Sequence, residues 1–357
     1  MRLTVLDLTR LLPGGYATHL LREMGARIIK VEDPQRGDYL RDFPFQLQDG
    51  MSAYFHAINR GKQSIAIDLK KSPDTLLALV KHADVVIESF RPGVMERFGL
   101  GYETLSQHNP LLIYCSLIGY PSEGEYRNRA GHDINYVGKT GLLDINRGQD
   151  GHPAMPGFQI SDVASGAVFA VIRILQSVIE RSERTAGAHI EVDMVTGTAA
   201  LMGFMAAPAA LLRQQVSWED LMLNGQVACY NLYPTADGRW MTVGNVEEKF
   251  WHNFCRVVGR ENWMNEQFNR SSEFRNQVSE LFRTKTQREW AEAFRDVDTC
   301  IEPLLTLNEA AARGMFKYPE QPAPRLGEHT EAILAEFRVP PSPSGGGRRE
   351  APGEGSK

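Results

Sequence analysis

Cysteine is scarce and unpaired in this chain. Its 357 residues include four, Cys115, Cys229, Cys255 and Cys300, and no two of them form a C-x-x-C pair. That excludes a disulfide framework and the common zinc motifs, and leaves Cys115, inside the apolar run LLIYCSLIGY, as a small buried hydrophobe. Excess positive charge is also missing. The net charge of −5 argues against a general nucleic-acid binder, while leaving room for a local basic pocket. By inspection, no apolar run reaches the roughly 20 residues of a membrane-spanning helix. MRLTVLDLTR lacks the basic-then-apolar pattern of a signal peptide, and the terminal GSK is not a peroxisomal SKL-type tripeptide. The expectation is a cytoplasmic protein with no membrane or nucleic-acid partner.

What is present is an alternation of strand-like and helix-like segments. Strands are expected at 3–9, 27–32, 63–69, 84–90 and 111–120. Helices are expected at 14–26, where Tyr16, Leu20, Leu21 and Met24 share a face, and at 72–83, opened by Ser-Pro. That order implies parallel pairing in a Rossmann-like sheet, so the fold class is α/β. A long helix is expected to start at Asp162, and 187–212 reads as a strand followed by an apolar helix or linker. The stretch YNLYPTADGRWMTVGN (230–245) reads as a β-hairpin turning at Asp-Gly. Helices are expected near 247–257 and 287–296. The large domain is taken as 1–212, with a returning segment at about 306–339, and a smaller α/β domain as 225–305. The Pro/Gly-rich 340–357 is expected to be disordered.

Several dispersed motifs carry a resemblance. VLDLTRLLPGGYATHLLREMGARIIKVEDPQRGD, NRGKQSIAIDLK, ADVVIESFRPGVMERFGLGYETL, GHDINY and TADGRWMTVGNVEEKFW resemble, in order, the family III CoA-transferase superfamily (CaiB/BaiF-like), nearest its α-methylacyl-CoA racemase branch. The resemblance covers roughly residues 3–335. It implies an interlocked, ring-like homodimer, with each active site between the large domain of one subunit and the small domain of the other. It also implies an acyl-CoA thioester as substrate, with CoA as part of that substrate and no other cofactor and no metal.

The same resemblance assigns roles. Asp162, in QISDVASGA, would by position be an ordinary helix N-cap; in the family the matching aspartate is the nucleophile of transferases and an acid or base in the racemase. His132, in GHDINY, matches the racemase histidine, though a lone histidine is more often structural. Its neighbour Asp133 is expected to bond local backbone. Glu247, in VGNVEEKFW, matches the glutamate that pairs with that histidine, ahead of Glu248; otherwise it is an exposed first-turn glutamate. Inverting a centre α to a thioester needs a base on each face of the planar enolate, which a histidine and an aspartate would supply. Lys70, Arg91 and Arg97 match positions that contact the nucleotide or its phosphates; without the family they are solvated charges.

Departures from the pattern matter as well. Asp33 stands where a basic residue often follows KVE, with Lys30 or Arg36 as stand-ins. The loop GYPSEGEYRNRA and the stretch VASG differ from many relatives. The expected activity is therefore α-methylacyl-CoA racemase or epimerase, the alternative a CoA transferase acting through a covalent Asp162 intermediate. A CoA-binding protein without turnover is a third reading. The acyl group stays open.

Overall fold

The computed structural model describes residues 3–340 except 149, 185, 319 and 320. All but the first residue of the expected tail at 340–357 lies outside that description. The chain divides into two compact units, one of Met1–Thr140, Pro156–Leu201 and Pro319–Lys357, the other of Gly141–Met155 and Met202–Tyr318. The boundaries read from the sequence, 212, 225 and 305, all fall within the Met202–Tyr318 stretch.

The first unit is built on a six-stranded sheet. Its strands are β1 (Thr4–Leu8), β2 (Arg27–Glu32), β3 (Gln63–Ala66), β4 (Val85–Glu88), β5 (Ile113–Ile118) and β6 (Ala188–Asp193). All neighbours pair in parallel, in the order β3-β2-β1-β4-β5-β6. This is the doubly wound order, whose ligand crevice lies where the winding reverses, between β1 and β4. A parallel sheet must be covered on both faces, and it is. Val5, Ile28, Val85 and Ile113 face the Leu11–Glu23 and Phe169–Arg184 helices. Leu6, Ile29, Val86 and Tyr114 face the Pro73–Val80 helix and Ile333 of the returning Thr330–Glu336 helix.

The expectation that no segment is long enough to cross a membrane needs correcting. The helix Ser161–Arg181 has the length and composition for it. In this fold its Ala167, Ala170, Val171 and Ile174 are core residues packed with the sheet.

The second unit holds an antiparallel sheet of β7 (Tyr230–Pro234), β8 (Trp240–Gly244) and β9 (Ile301–Pro303). The expected hairpin is β7–β8, turning at Gly238 with φ +73°. Its core is aromatic: Trp251, Phe254, Phe282, Trp290 and Phe294 pack together. Phe282 comes from a helix the sequence reading passed over, Ser272–Phe282, capped by Ser271, whose Oγ accepts the Phe274 N–H at 3.2 Å.

Candidate active site at the sheet's switch point

Two buried ion pairs fix the crevice. Asp7 of β1 is fully buried, 3.2 Å from Lys62 Nζ, and accepts from the hydroxyls of Thr9 and Thr18. Lys30 of β2 lies 2.8 Å from Asp38. The two lysines and its hydrogen bonds hold the Asp7 carboxyl down to about 2 against the cost of burial. Burial in turn pulls Lys62 down to about 8. Lys30 is therefore a fully buried partner of Asp38 and Asp7, not a stand-in for the missing phosphate contact. Asp38 Oδ1 also accepts the N–H of Leu11, which has the unusual φ of +63° for a leucine. That holds the chain in a disfavoured region exactly as it leaves β1 for the crevice.

A cavity of about 620 Å³ opens there. Arg10, Leu11 and Pro13 line it from the end of β1, Ser89, Phe90 and Arg91 from the end of β4, and Gly119 and Tyr120 from the end of β5. His132 and Asp162 line the same cavity. A second cavity, of about 450 Å³, runs along the ends of β2 and β3 and includes Asp33 and Lys70. Arg10, Phe90 and Val94 line both.

The hexapeptide GHDINY can be read residue by residue. Gly131 leaves room for the Tyr136 ring, since a Cβ there would sit 2.6 Å from it. The Tyr136 hydroxyl donates to the Gly131 carbonyl at 2.6 Å. His132 precedes the Asp133–Lys139 helix, and its N–H donates to Asn135 Oδ1 at 3.0 Å. The histidine is exposed to the cavity. Asp133 reaches across to Asp162, whose N–H donates to Asp133 Oδ1 at 3.0 Å.

That last bond corrects the expected cap. Asp162 does not cap its helix; it is the second residue of a π-helical stretch, Ser161–Val168, and Asp133 takes the backbone N–H instead. Its carboxyl is left for the cavity. Burial, with the Asp133 carboxylate beside it, pushes Asp162 up from its usual 3.8 to about 7. π-Helical turns are rare and concentrate at functional sites. This one is braced by the Met194–Leu201 helix. Ser165 Oγ donates to the Ser161 and Met194 carbonyls, and Thr198 Oγ1 lies 2.6 Å from Ser161 Oγ and 2.8 Å from Ser165 Oγ.

The remaining candidates fall in different places. Arg91 is exposed in the first cavity and Lys70 lines the second, its Nζ 5.9 Å from the Phe98 ring. Arg97 ends the short Val94–Arg97 helix and lines neither. Asp33 accepts the N–H groups of Gln35 and Arg36 in its own turn, and Arg36 lies over the Tyr39 ring. Glu247 belongs to the second unit, at the N-cap of the Glu248–Val257 helix. Sequence reasoning missed Arg10, Tyr39, Tyr120, Arg127 and Arg129 in the cavity wall. Arg10 was open to discovery, since it lies two residues past the end of β1, where a doubly wound sheet binds its ligand.

The arrangement has a definite chemistry. Four arginines, Arg10, Arg91, Arg127 and Arg129, surround a cavity with one partly neutralised carboxyl and one histidine. It suits a polyanionic ligand carrying a reactive group to a proton donor–acceptor pair. Glu32, at the end of β2 where nicotinamide-cofactor enzymes often hold a ribose, is instead paired with Arg41 at 2.6 Å.

Comparison with known proteins places this geometry. The model of CoA-transferase family III matches residues 2–355. The chain belongs to CoA-transferase family III. Among family members, human alpha-methylacyl-CoA racemase is 32% identical over 94% of this chain and 92% of its own. The succinate–glutarate CoA-transferase of Agrobacterium fabrum is 30% identical over 94% of each chain. A crystal structure of a CaiB/BaiF family protein from Brucella suis covers 94% of this chain and 98% of its own, with a TM-score of 0.81 and 26% identity. Racemase and transferase thus stand close together among the relatives of this family III enzyme.

Proposed function

We propose that the protein is a 2-methylacyl-CoA racemase or epimerase, interconverting 2R and 2S thioesters through an enolate. The observation that carries this is the meeting of His132 and Asp162 in one cavity, with Asp162 raised to about 7. A carboxyl poised near neutrality both takes and returns a proton. CoA enters along the two joined cavities, its nucleotide end toward Lys70 and its thioester toward Asp162, with Arg91 on the phosphates. One of the two residues removes the α-proton and the other redelivers one to the opposite face.

The enzyme acts as an interlocked homodimer, in which Glu247 of a second copy orients His132. Support comes from the Gly203–Leu212 helix of the second unit, none of whose residues is buried; Phe204 and Leu211 are each 80% exposed. An apolar helix left bare on that scale fits a surface that a second copy covers.

The test is α-proton exchange. In deuterated water either enantiomer of a 2-methylacyl-CoA is expected to lose its α-proton NMR signal with the wild type, and interconversion of the 2R and 2S thioesters is expected to stop with His132→Ala and with Asp162→Ala. Absence of exchange with every 2-methylacyl-CoA tried would sink the racemase assignment. The similarity to the Agrobacterium transferase favours the second reading, CoA transfer to a free acid through a covalent Asp162 adduct. Mass spectrometry under turnover separates the two, since only the transferase accumulates a mass increase on the peptide containing Asp162.

A further inference from the structure

Glu88 is the last residue of β4 and is buried, with 5% exposure, immediately before the turn that lines both cavities. Its carboxylate accepts the Phe90 N–H at 2.7 Å. Ser89, Phe90 and Arg91 line the first cavity, and Phe90 lines the second as well. Glu88 itself lines neither cavity.

The groups around Glu88 come from three neighbouring elements. Ser116 lies opposite it on β5, and Tyr114 is two residues back on the same face. Across β6, His189 Nε2 is 3.3 Å from Ser116 Oγ, and its ring stacks on Tyr102 at 5.2 Å. The charges that act on Glu88 are those of Glu96 and Glu191, both negative. A buried carboxyl facing like charges is costly to ionise, and burial with those charges raises it to about 7 against the opposing bond from the Phe90 N–H. When it is ionised, its bond to the Phe90 N–H is charge-assisted and tighter; when neutral, that bond weakens.

We propose that Glu88 is a positioning residue whose carboxylate holds the Ser89–Phe90–Arg91 turn in the shape that receives the CoA portion of the substrate. It sets affinity for CoA through the turn without touching the ligand. The proposal rests on the assignment of the two cavities to an acyl-CoA. Because the group that holds the turn also titrates, CoA affinity carries a proton dependence generated inside the protein.

The experiment measures binding of free CoA by calorimetry between pH 5.5 and 8.5, together with KM and kcat for exchange. Three proteins are compared: wild type, Glu88→Gln and Glu88→Leu. The CoA 3′-phosphate titrates near pH 6, so dephospho-CoA serves as a second probe and the wild type minus Gln difference is the readout. For wild type, affinity is expected to weaken several-fold as pH falls through 7 with either probe. Glu88→Gln keeps an acceptor for the Phe90 N–H but cannot titrate, so the pH dependence of its dephospho-CoA affinity is expected to be several-fold shallower than that of wild type. Glu88→Leu removes the acceptor, and loss of one such bond predicts about a tenfold rise in Kd and KM, with a smaller change in kcat. A Gln variant that keeps the wild-type pH dependence overturns the proposal. So does a folded Leu variant that binds CoA as the wild type does. Failure of wild type to bind CoA at any pH removes the cavity assignment and this proposal with it, whereas pH-independent binding by wild type removes this proposal alone.

Discussion

Asp162 shows how one side chain's surroundings decide between bland and reactive roles. An aspartate at a helix start ordinarily spends its carboxylate on backbone N–H groups, which lower its pKa. Here Asp133 does the capping, and burial, with the Asp133 charge beside it, drives Asp162 up to about 7. The proton linkage follows in sign. A carboxyl raised above its unfolded 3.8 contributes stability that is full below that value and lost as pH rises through about 7. Asp162→Asn removes this dependence, so its Tm is expected to exceed that of wild type above pH 7 and to approach it near pH 4. Its exchange rate is expected to fall by about 10²–10⁴-fold. Thermal melts across pH with parallel exchange assays check both; a Tm difference unaffected by pH would refute the linkage. Asp133→Asn tests the cause, with the Asp162-dependent inflection of the rate profile expected to move to lower pH. His132 and Asp162 were legible as candidates only through the family resemblance that their short, local motifs carry. The capping role of Asp133 was not, because Asp133 and Asp162 meet only in the fold. The same holds for Lys30, a plausible phosphate ligand in sequence and a buried ion-pair partner in fact.

At the scale of elements, the strands and the Rossmann-like order were readable because a sheet covered on both faces demands nearly continuous apolar runs. The Ser272–Phe282 helix was passed over because its sequence, SEFRNQVSELF, buries only Phe274, Val278 and Phe282 and is polar elsewhere. The π-helical stretch was invisible for a different reason: SDVASGAV is equally compatible with an α-helix, and its geometry depends on what packs against it. That packing is tight. A Cβ at Gly197 would lie 2.8 Å from Ser165 Cβ and 2.9 Å from the Ser165 carbonyl. Gly197→Ala is therefore expected to cost about 1–3 kcal/mol by overpacking and to lower exchange along with stability. Thr198→Val removes the hydroxyl shared by Ser161 and Ser165 at nearly constant volume. If the π turn sets the aim of Asp162, this variant loses more in kcat than in KM. Unchanged kcat in a folded Thr198→Val protein would show that the hydroxyl network is only structural.

At the scale of the whole molecule, the candidate residues are split between two units, with His132 and Asp162 in one and Glu247 in the other. The proposed homodimer turns that split into a prediction about which chain completes which site. Suppose each site takes His132 from one copy and Glu247 from the other. Then His132→Ala and Glu247→Ala homodimers both carry two damaged sites. A heterodimer of the two variants concentrates both lesions in one site and leaves the second intact. Interlocked rings do not exchange subunits readily, so the variants must be coexpressed with different tags. Random assembly makes half the dimers mixed, so exchange is expected to recover to about a quarter of the wild-type level. Purification through both tags in turn is expected to raise it to about half. If Glu247 instead acted within its own chain, every site in the mixed dimer would carry one lesion and no activity would return. Leu211→Asp completes the test, because a charge on the bare helix is expected to give a monomer by light scattering and to abolish exchange while His132, Asp162 and Glu247 are all unchanged. A Leu211→Asp monomer that still exchanged the α-proton would place the whole reaction within a single chain.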